Sequence, residues 1–158
     1  MSDIDATVRA ATQDDLATIR TFPHGDEVDV IFAATQVGEA IIAVVEADKQ
    51  VIASAVLDLI SPLRPEVKRI WVSESSRRRG LGTAMTMWLE QQARQLGFDA
   101  TQMAIDPQNE KAIPMAIDLG YSATGDHLFI DQPDPFQVED PEEASDFFAI
   151  YRKSLTMN

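Results

Sequence analysis

Short apolar runs, separated by turn residues, recur along the chain and predict strands. A β-hairpin is the clearest case, because the runs 40–47 and 51–60 are rich in Ile and Val and flank the polar turn Asp48-Lys49-Gln50. The run 66–72 follows a loop containing two prolines and predicts a further strong strand. In chain order, the predicted strands are 8–11, 40–47, 51–60, 66–72, 100–105, 121–130 and 147–155.

Apolar positions at helical spacing predict helices between these strands. The most regular pattern covers residues 81–96 and is stopped by Gly97. Thr12 precedes two acids and an apolar residue, which is typical of an N-cap at a helix start. Helices are predicted from residue 12 and over 27–36, 81–96 and 109–119.

The segment 131–146 differs from the rest of the chain. It holds seven acids, three prolines and no basic residue, so it predicts an irregular loop between the last two strands. The chain of 158 residues has the length of one ordinary domain, and we expect residues 1–158 to form a single domain.

Composition narrows the classes of function. The net charge of −13 argues against nucleic-acid binding, which needs a basic surface. This charge suits a cationic partner, or it serves only to keep the protein soluble. No apolar run reaches the ~18 residues of a membrane span, and the acidic N-terminus lacks the features of a signal peptide, so we expect a cytoplasmic protein without a membrane partner.

Metal and thiol chemistry have little basis in this sequence. Cysteine is absent, and the two histidines, His24 and His127, are isolated from each other. We therefore expect no metal cofactor. The sequence leaves open whether the chain forms a homodimer.

Basic residues concentrate in one segment of this acidic chain. Positions 64–79 hold six of the 13 basic residues, which predicts one anionic ligand. The pattern Arg77-x-x-Gly80-x-Gly82 lies between a strand and a long helix, whose first amides lack partners within the helix. Glycine lets an anion approach the backbone, and arginine adds charge and donors. Alternatively, the segment is an ordinary turn with solvated arginines.

These residues also carry a resemblance to a known family. The stretch 66–82 is similar to the core of the GNAT N-acyltransferase superfamily, which has Arg/Gln-x-x-Gly-x-Gly/Ala after its fourth strand. Asn109-x-x-Ala112 and Leu119-Gly120-Tyr121 resemble the closing helix of that family, and residues 8–16 resemble its first strand and helix. The resemblance covers most of the chain.

The resemblance implies both a fold and a cofactor site. The expected fold is a mixed α/β (α+β) fold with about four flanking helices. Its mostly antiparallel sheet would have six to seven strands and a splay between strands 4 and 5. Acetyl-CoA, or a close acyl-CoA, would lie in the splay with its pyrophosphate on the amides of the glycine loop. The residues expected to bind it are Ile70, Trp71, Val72, Arg77, Arg78, Arg79, Gly80, Leu81, Gly82, Thr83 and Asn109.

Acyl transfer to an amine needs a base and a proton for the leaving thiolate. By resemblance, Glu66 is the expected catalytic base, although it could instead pair with Lys68 or Arg64. Many family members have a tyrosine as the acid at the position of Ala116. Tyr121, Tyr151 or water would have to replace it.

Other side chains have weaker functional interpretations. Trp71 and Trp88 either line pockets or pack in the core, and the latter is the more common role of tryptophan. His127 is either a base or, more simply, a residue on the surface of a strand.

The acceptor is left open by the sequence. In the family, helices 1 and 2 and the last loop shape the acceptor site, and here these regions contain Asp26, Glu27, Asp29 and 131–146. Such acids would attract a cationic amine, or they are simply solvated. Three hypotheses follow: an N-acetyltransferase of a small molecule or peptide, an acyl-CoA-binding regulatory module without activity, and a nucleotide-binding domain.

Overall fold

The computed structural model describes residues 6–23, 25–129 and 147–156. It contains seven strands and four α-helices in the described part of the chain. In chain order these are β1 (Ala6–Ala10), α1 (Leu16–Ile19), α2 (Val28–Gln36), β2 (Ala40–Ala47), β3 (Gln50–Asp58), β4 (Glu66–Val72), α3 (Leu81–Gln95), β5 (Ala100–Ile105), α4 (Ala112–Asp118), β6 (Ser122–Phe129) and β7 (Phe147–Ser154). The predicted loop 131–146 and His24 lie outside the described residues.

The strands form one mixed sheet in the order β1-β2-β3-β4-β5-β7-β6. All neighbours are antiparallel except β4 and β5, which are parallel. The predicted fold class, a mostly antiparallel sheet with flanking helices, is therefore confirmed.

The parallel pair β4 and β5 separates after a short contact. Glu66 is paired with Gln102, whose N–H group donates to the carbonyl oxygen of Pro65 at 3.0 Å. Within these two fully described strands, no further residue pair joins them. The carboxyl-terminal halves of β4 and β5 therefore diverge, and they open a gap inside the sheet.

Apolar side chains cover both faces of the sheet. On one face, Val67, Met103 and Tyr151 pack with Leu81, Met85 and Leu89 of α3 and with Ala116 of α4. On the other face, Ile42, Val44 and Val56 pack with Leu16 and Ile19 of α1 and with Val28 of α2. The sheet thus separates an α3/α4 side from an α1/α2 side.

A β-bulge interrupts β4 at its middle. Ser54 pairs with Trp71, and Val56 pairs with Lys68, so β4 has one residue more than β3 in this interval. Arg69 takes up the extra length with a φ of 57°, in the left-handed region that is uncommon for residues other than glycine. The bulge lies where β4 begins to separate from β5.

Thr12 is the N-cap of the first helical segment, as predicted, whereas α4 begins later than predicted. The first begins as a 3-10 turn over Gln13–Asp15, and the N–H group of Thr12 donates to Asp15 Oδ2 at 2.7 Å. α4 begins at Ala112 instead of Asn109, because Asn109 Oδ1 accepts the N–H of Ala112 at 3.2 Å. None of the described helices has the length and apolar character that crossing a membrane requires.

Candidate functional site

A cleft of ≈ 160 Å³ lies at the N-terminus of α3, on the α3/α4 side of the sheet. It is formed where β4 ends, a 3-10 turn over Glu74–Ser76 follows, and α3 begins. The residues that line it are Val72, Ser76, Arg77, Arg78, Gly80, Leu81, Gly82, Thr83, Met115 and Leu119. Seven of these belong to the eleven residues expected to bind the cofactor.

The backbone of this loop presents a row of N–H groups. Gly80 is the N-cap of α3 with a φ of 75°, and Arg78 has a φ of 65°. The first backbone bond of the helix runs from Ala84 N to Gly80 O at 2.9 Å. Among the described residues, the N–H groups of residues 78–83 have no hydrogen-bond acceptor. Such a row at a helix N-terminus favours an anion.

Gly82 keeps the floor of the cleft open. A Cβ atom at this position would meet Ile70 Cγ2 at 3.5 Å and no second atom within 4 Å. The space above the Gly82 backbone is therefore free for a ligand to approach the amides.

The three arginines of the loop differ in their contacts. Arg77 Nε donates to the carbonyl oxygen of Val72 at 2.9 Å, which ties the loop to the end of β4. Arg78 and Arg79 are exposed. Arg77 therefore braces the loop, and Arg78 and Arg79 contribute positive charge at its surface.

The remaining predicted cofactor residues lie around the gap. Ile70 packs towards α3, beside Gly82, whereas the Trp71 ring is on the opposite face and contacts Phe22 with ring centroids 4.2 Å apart. Asn109 lies in the turn that follows β5, where its side chain caps the first turn of α4. Trp71 can thus face a cofactor on the α3/α4 side only with its backbone.

Glu66 lies at the closed end of the gap, where β4 and β5 meet. It is 6% exposed and points towards the α1/α2 side, as does its neighbour Lys68. Lys68 Nζ is 2.7 Å from Asp58 Oδ2 and 4.0 Å from Glu66 Oε1. Asp58 is therefore the closer partner of this lysine, and the expected pairing of Glu66 with Lys68 is the weaker of the two contacts.

Ala116 is fully buried in the core between α4 and the sheet. Tyr121, one of the residues that could replace the missing acid, belongs to a buried polar network. Its hydroxyl donates to Glu90 Oε2 at 2.8 Å and is 2.6 Å from Thr101 Oγ1. Burial raises the pKa of Tyr121, and the charge of Glu90 raises it further. These contacts favour a structural role for this phenol.

Lys153 completes the network around Glu90. Its Nζ donates to Glu90 Oε1 at 3.0 Å and to the carbonyl oxygen of Leu119 at 2.9 Å. Glu90 belongs to α3 and Leu119 ends α4, so one lysine joins the two helices that border the cleft.

Three other predicted candidates have simple packing roles. Tyr151 is buried in the same core cluster as Ala116, and Trp88 packs against that cluster from α3. His127 is exposed on β6, and its ring contacts the edge of Phe147 with centroids 4.7 Å apart.

Two of the acids expected to attract a cationic acceptor are already paired. Glu27 accepts a hydrogen bond from Arg69, and Asp29 forms a salt bridge with Arg20 at 2.5 Å. Both pairs lie at the start of α2, on the α1/α2 side. The net negative charge at the start of α2 is therefore smaller than the sequence alone indicates.

Three residues that line the cleft were not predicted from the sequence: Ser76, Met115 and Leu119. The contact of Arg69 with Glu27, on the opposite side of the sheet, was not predicted either. Met115 and Leu119 are four residues apart on one face of α4, a spacing that could have identified them once α4 was placed beside α3. No local signal marks Arg69, because its contact with Glu27 joins residues far apart in the chain.

The model of the Acetyltransferase (GNAT) family matches residues 9–121 of the chain. No curated protein matches the chain in sequence.

Solved structures match over nearly the whole chain. An N-acetyltransferase from Staphylococcus aureus Mu50 has 20% identity and a TM-score of 0.72, covering 96% of this chain and 99% of its own. The ribosomal-protein-S18-alanine N-acetyltransferase from Escherichia coli has 18% identity and a TM-score of 0.70, covering 97% and 96%. An acetyltransferase from Elizabethkingia anophelis, solved with acetyl-CoA bound, has 14% identity and a TM-score of 0.69, covering 96% and 99%. At these identities the likeness is one of fold.

Proposed function

Because the chain belongs to the GNAT acetyltransferase family, we propose that it is an acetyl-CoA-dependent N-acyltransferase. It moves an acetyl group from acetyl-CoA to a primary amine of a small molecule or peptide, by direct attack in a ternary complex. The observation that carries this proposal is the row of N–H groups at residues 78–83, which have no acceptor among the described residues and border an open cleft.

The proposed cofactor site fits a pyrophosphate. The amides of residues 78–83 and the positive end of a helix of 15 residues would bind its oxygens. Exposed Arg78 and Arg79 would add charge, while the backbone of Ile70, Trp71 and Val72 would hold the pantetheine arm along the gap. Asn109 would contact this arm from the other side. When bound, acetyl-CoA supplies the thioester whose acetyl group is transferred.

The bulge in β4 would stabilise the negative charge that develops on the carbonyl oxygen during attack. A bulge leaves the extra residue outside the ladder of backbone bonds. An N–H group of β4 near Trp71 would then be directed at this oxygen, in the manner of an oxyanion hole. The proposed contribution of the bulge at Arg69 to catalysis is thus made by the backbone of β4.

Glu66 is the proposed general base. It lies beside the gap and faces the α1/α2 side, from which the acceptor would approach. It would take the proton of the ammonium, directly or through water, so that the neutral amine attacks the carbonyl carbon. The sulfur–carbon bond then breaks, and water would protonate the leaving thiolate because Ala116 carries no acid.

The test is release of free CoA with a panel of amines, measured for wild type and Glu66→Gln. We expect the variant to lower kcat about 10²- to 10⁴-fold, the usual contribution of a general base. Glu74→Gln is the matched control, since Glu74 is an exposed acid beyond the end of β4. Equal activity of Glu66→Gln and wild type would remove Glu66 from the mechanism.

A second candidate function is an acyl-CoA-binding regulatory module without activity. The observation that favours it is Ala116, which replaces the acid that many family members have. Turnover separates the two proposals, because both predict binding of acetyl-CoA. A wild-type protein that releases CoA only in the presence of an amine rules out the binding module.

A further inference from the structure

We propose that Arg69 determines the acceptor, and that the acceptor is a small amino acid with a free carboxylate and a short apolar side chain. This inference rests on the proposed acetyl transfer and adds the chemical class of the acceptor. It is carried by the position of Arg69, its burial, and the apolar pocket beside it.

The side chains of β4 that face the α1/α2 side form one row. It begins with Glu66 and Lys68 at the closed end of the gap and continues with Arg69 at the bulge. It ends with Trp71 against Phe22.

Three residues of strand separate Glu66 from Arg69 by about 10 Å at Cα, a distance that their side chains can shorten. An amine near Glu66 therefore has two cations on this face, Lys68 and Arg69. Lys68 is held by Asp58 at 2.7 Å, which leaves Arg69 as the cation beside the space in front of β4.

Arg69 is enclosed, whereas its partner is on the surface. Its side chain is 17% exposed, and that of Glu27, which it contacts, is 57% exposed. An ion pair with an exposed carboxylate contributes little to stability, so a carboxylate of the acceptor can take the place of Glu27 at small cost. The planar guanidinium also matches a carboxylate with two parallel hydrogen bonds.

Arg69 is one of the residues that line a small apolar pocket. The pocket has a volume of ≈ 30 Å³ and lies between α1, α2 and the sheet. A cavity needs at least about 10–15 Å³ to hold one water molecule, so this pocket has room for only a small group. Because its lining is mostly apolar, a short apolar side chain fits it best. The apolar lining consists of Ile19, Phe22, Val28, Ile31, Ile42 and Val56.

The charges on this side favour an amino acid over a polyamine. Asp29 is paired with Arg20, so it adds no uncompensated negative charge near the pocket. A carboxylate beside an amine uses Arg69, whereas a second ammonium group would be repelled by it.

The experiment compares valine with valinamide as acceptors, in wild type and in Arg69→Gln. We expect the ratio of kcat/KM for valine to that for valinamide to fall about tenfold or more in the variant, as for a lost hydrogen bond to a charged group. The difference in basicity between the two amines cancels, because the comparison is between proteins. A ratio that stays the same overturns the proposal.

Glu27→Gln provides a second test that does not alter Arg69. Removing the competing carboxylate should lower KM for valine and leave KM for valinamide unchanged, a result that a purely structural salt bridge does not predict. Arg20→Gln is the matched control, since it breaks the neighbouring salt bridge to α2, which is exposed. This test holds even if Arg69→Gln fails to fold, and a rise in KM for valine in Glu27→Gln overturns the proposal.

The two levels of the proposal fail differently. If no amine promotes CoA release, the acetyl transfer itself is wrong, and the proposed acceptor falls with it. If polyamines or amides are acetylated with a kcat/KM equal to that of valine, the acetyl transfer stands and the role of Arg69 is overturned.

Discussion

Gly82 lies in the first turn of α3, where the absence of a side chain leaves the backbone amides accessible. An added Cβ would touch only the end of the Ile70 side chain, at 3.5 Å, and Gly82 has no left-handed φ. Alanine therefore fits without strain, whereas a longer side chain must extend into the cleft. Substitutions of Gly82 can therefore change the binding of the ligand through bulk and charge without disturbing the fold.

We expect Gly82→Glu to raise the Kd for acetyl-CoA at least about tenfold, or 1.4 kcal/mol. The glutamate side chain would occupy the space of the pyrophosphate, and its carboxylate would repel the phosphate charges. Gly82→Ala should bind within a few-fold of wild type. Isothermal titration calorimetry measures both, and thermal melts check folding. Binding of wild-type strength by Gly82→Glu would show that the cofactor lies elsewhere.

Arg77 illustrates which part of the site the sequence could predict. The residues from Arg77 to Thr83 are contiguous, and the order strand, glycine loop and helix was enough to predict an anion site there. The sequence treated all three arginines alike, however. That Arg77 binds the end of β4 depends on the conformation of the loop, which the residue pattern does not determine.

At the level of elements, α3 and α4 are joined below the cleft by the buried network of Glu90, Tyr121, Thr101 and Lys153. Glu90 is 1% exposed, so its charge depends on Lys153 and on the hydroxyl of Tyr121. Removing one partner of a buried ion pair leaves the other without compensation, at a cost well above that of a surface pair.

We therefore expect Lys153→Met to lower the free energy of unfolding by about 3–5 kcal/mol, measured by urea denaturation. The double variant Glu90→Gln/Lys153→Met should recover part of this loss, because the uncompensated charge is gone. A loss below about 1 kcal/mol in the single variant, the range of surface pairs, would contradict the importance of the network.

The bounds of β2, β4 and β5 were predicted without error, because each is rich in β-branched or apolar residues and lies between turn segments. The prediction placed the start of α4 three residues too early. Asparagine is a poor residue for a helix interior and a common cap residue, and the side chain of Asn109 caps the first turn at Ala112. The later start of α4 thus agrees with the local preference of Asn109, which the prediction did not use.

The acceptor side could not be predicted from the chain alone. Arg69 contacts Glu27 across 42 positions, and this contact follows from the packing of α2 on the sheet. The sequence assigned Glu27 and Asp29 to a cationic acceptor, since their arginine partners are not neighbours in the chain. Only the folded structure reveals these charges as paired.

Over the whole molecule, the net charge is −13, and a few of the carboxylates that produce it are bound by specific partners. The hydrogen bond from Arg9 lowers the pKa of Asp15, while burial acts in the opposite direction and the backbone of Thr12 adds to the lowering. Arg9 also bonds Glu46, so this cluster links β1, β2 and the first helical turn. Its contribution to stability should depend on pH.

The sign follows from the lowered pKa. A carboxyl group whose folded pKa lies below its unfolded value of about 3.9 stabilises the fold above that value, and the contribution is lost as the pH falls through the folded pKa. We expect Asp15→Asn to be less stable than wild type at pH 7, with a difference that shrinks below about pH 4. Urea denaturation between pH 2 and pH 7 measures this, with the exposed Asp14→Asn as control. A difference independent of pH would contradict the linkage.

The sheet itself separates the two proposed reactants. The cleft opens on the α3/α4 side and the apolar pocket on the α1/α2 side. In the proposed reaction, the gap between β4 and β5 is the route between them. A bisubstrate inhibitor that joins CoA to an amino acid would therefore have to pass through the sheet. Its linker should be slender and about as long as an acetyl group, because a branched linker would have to push the two strands apart.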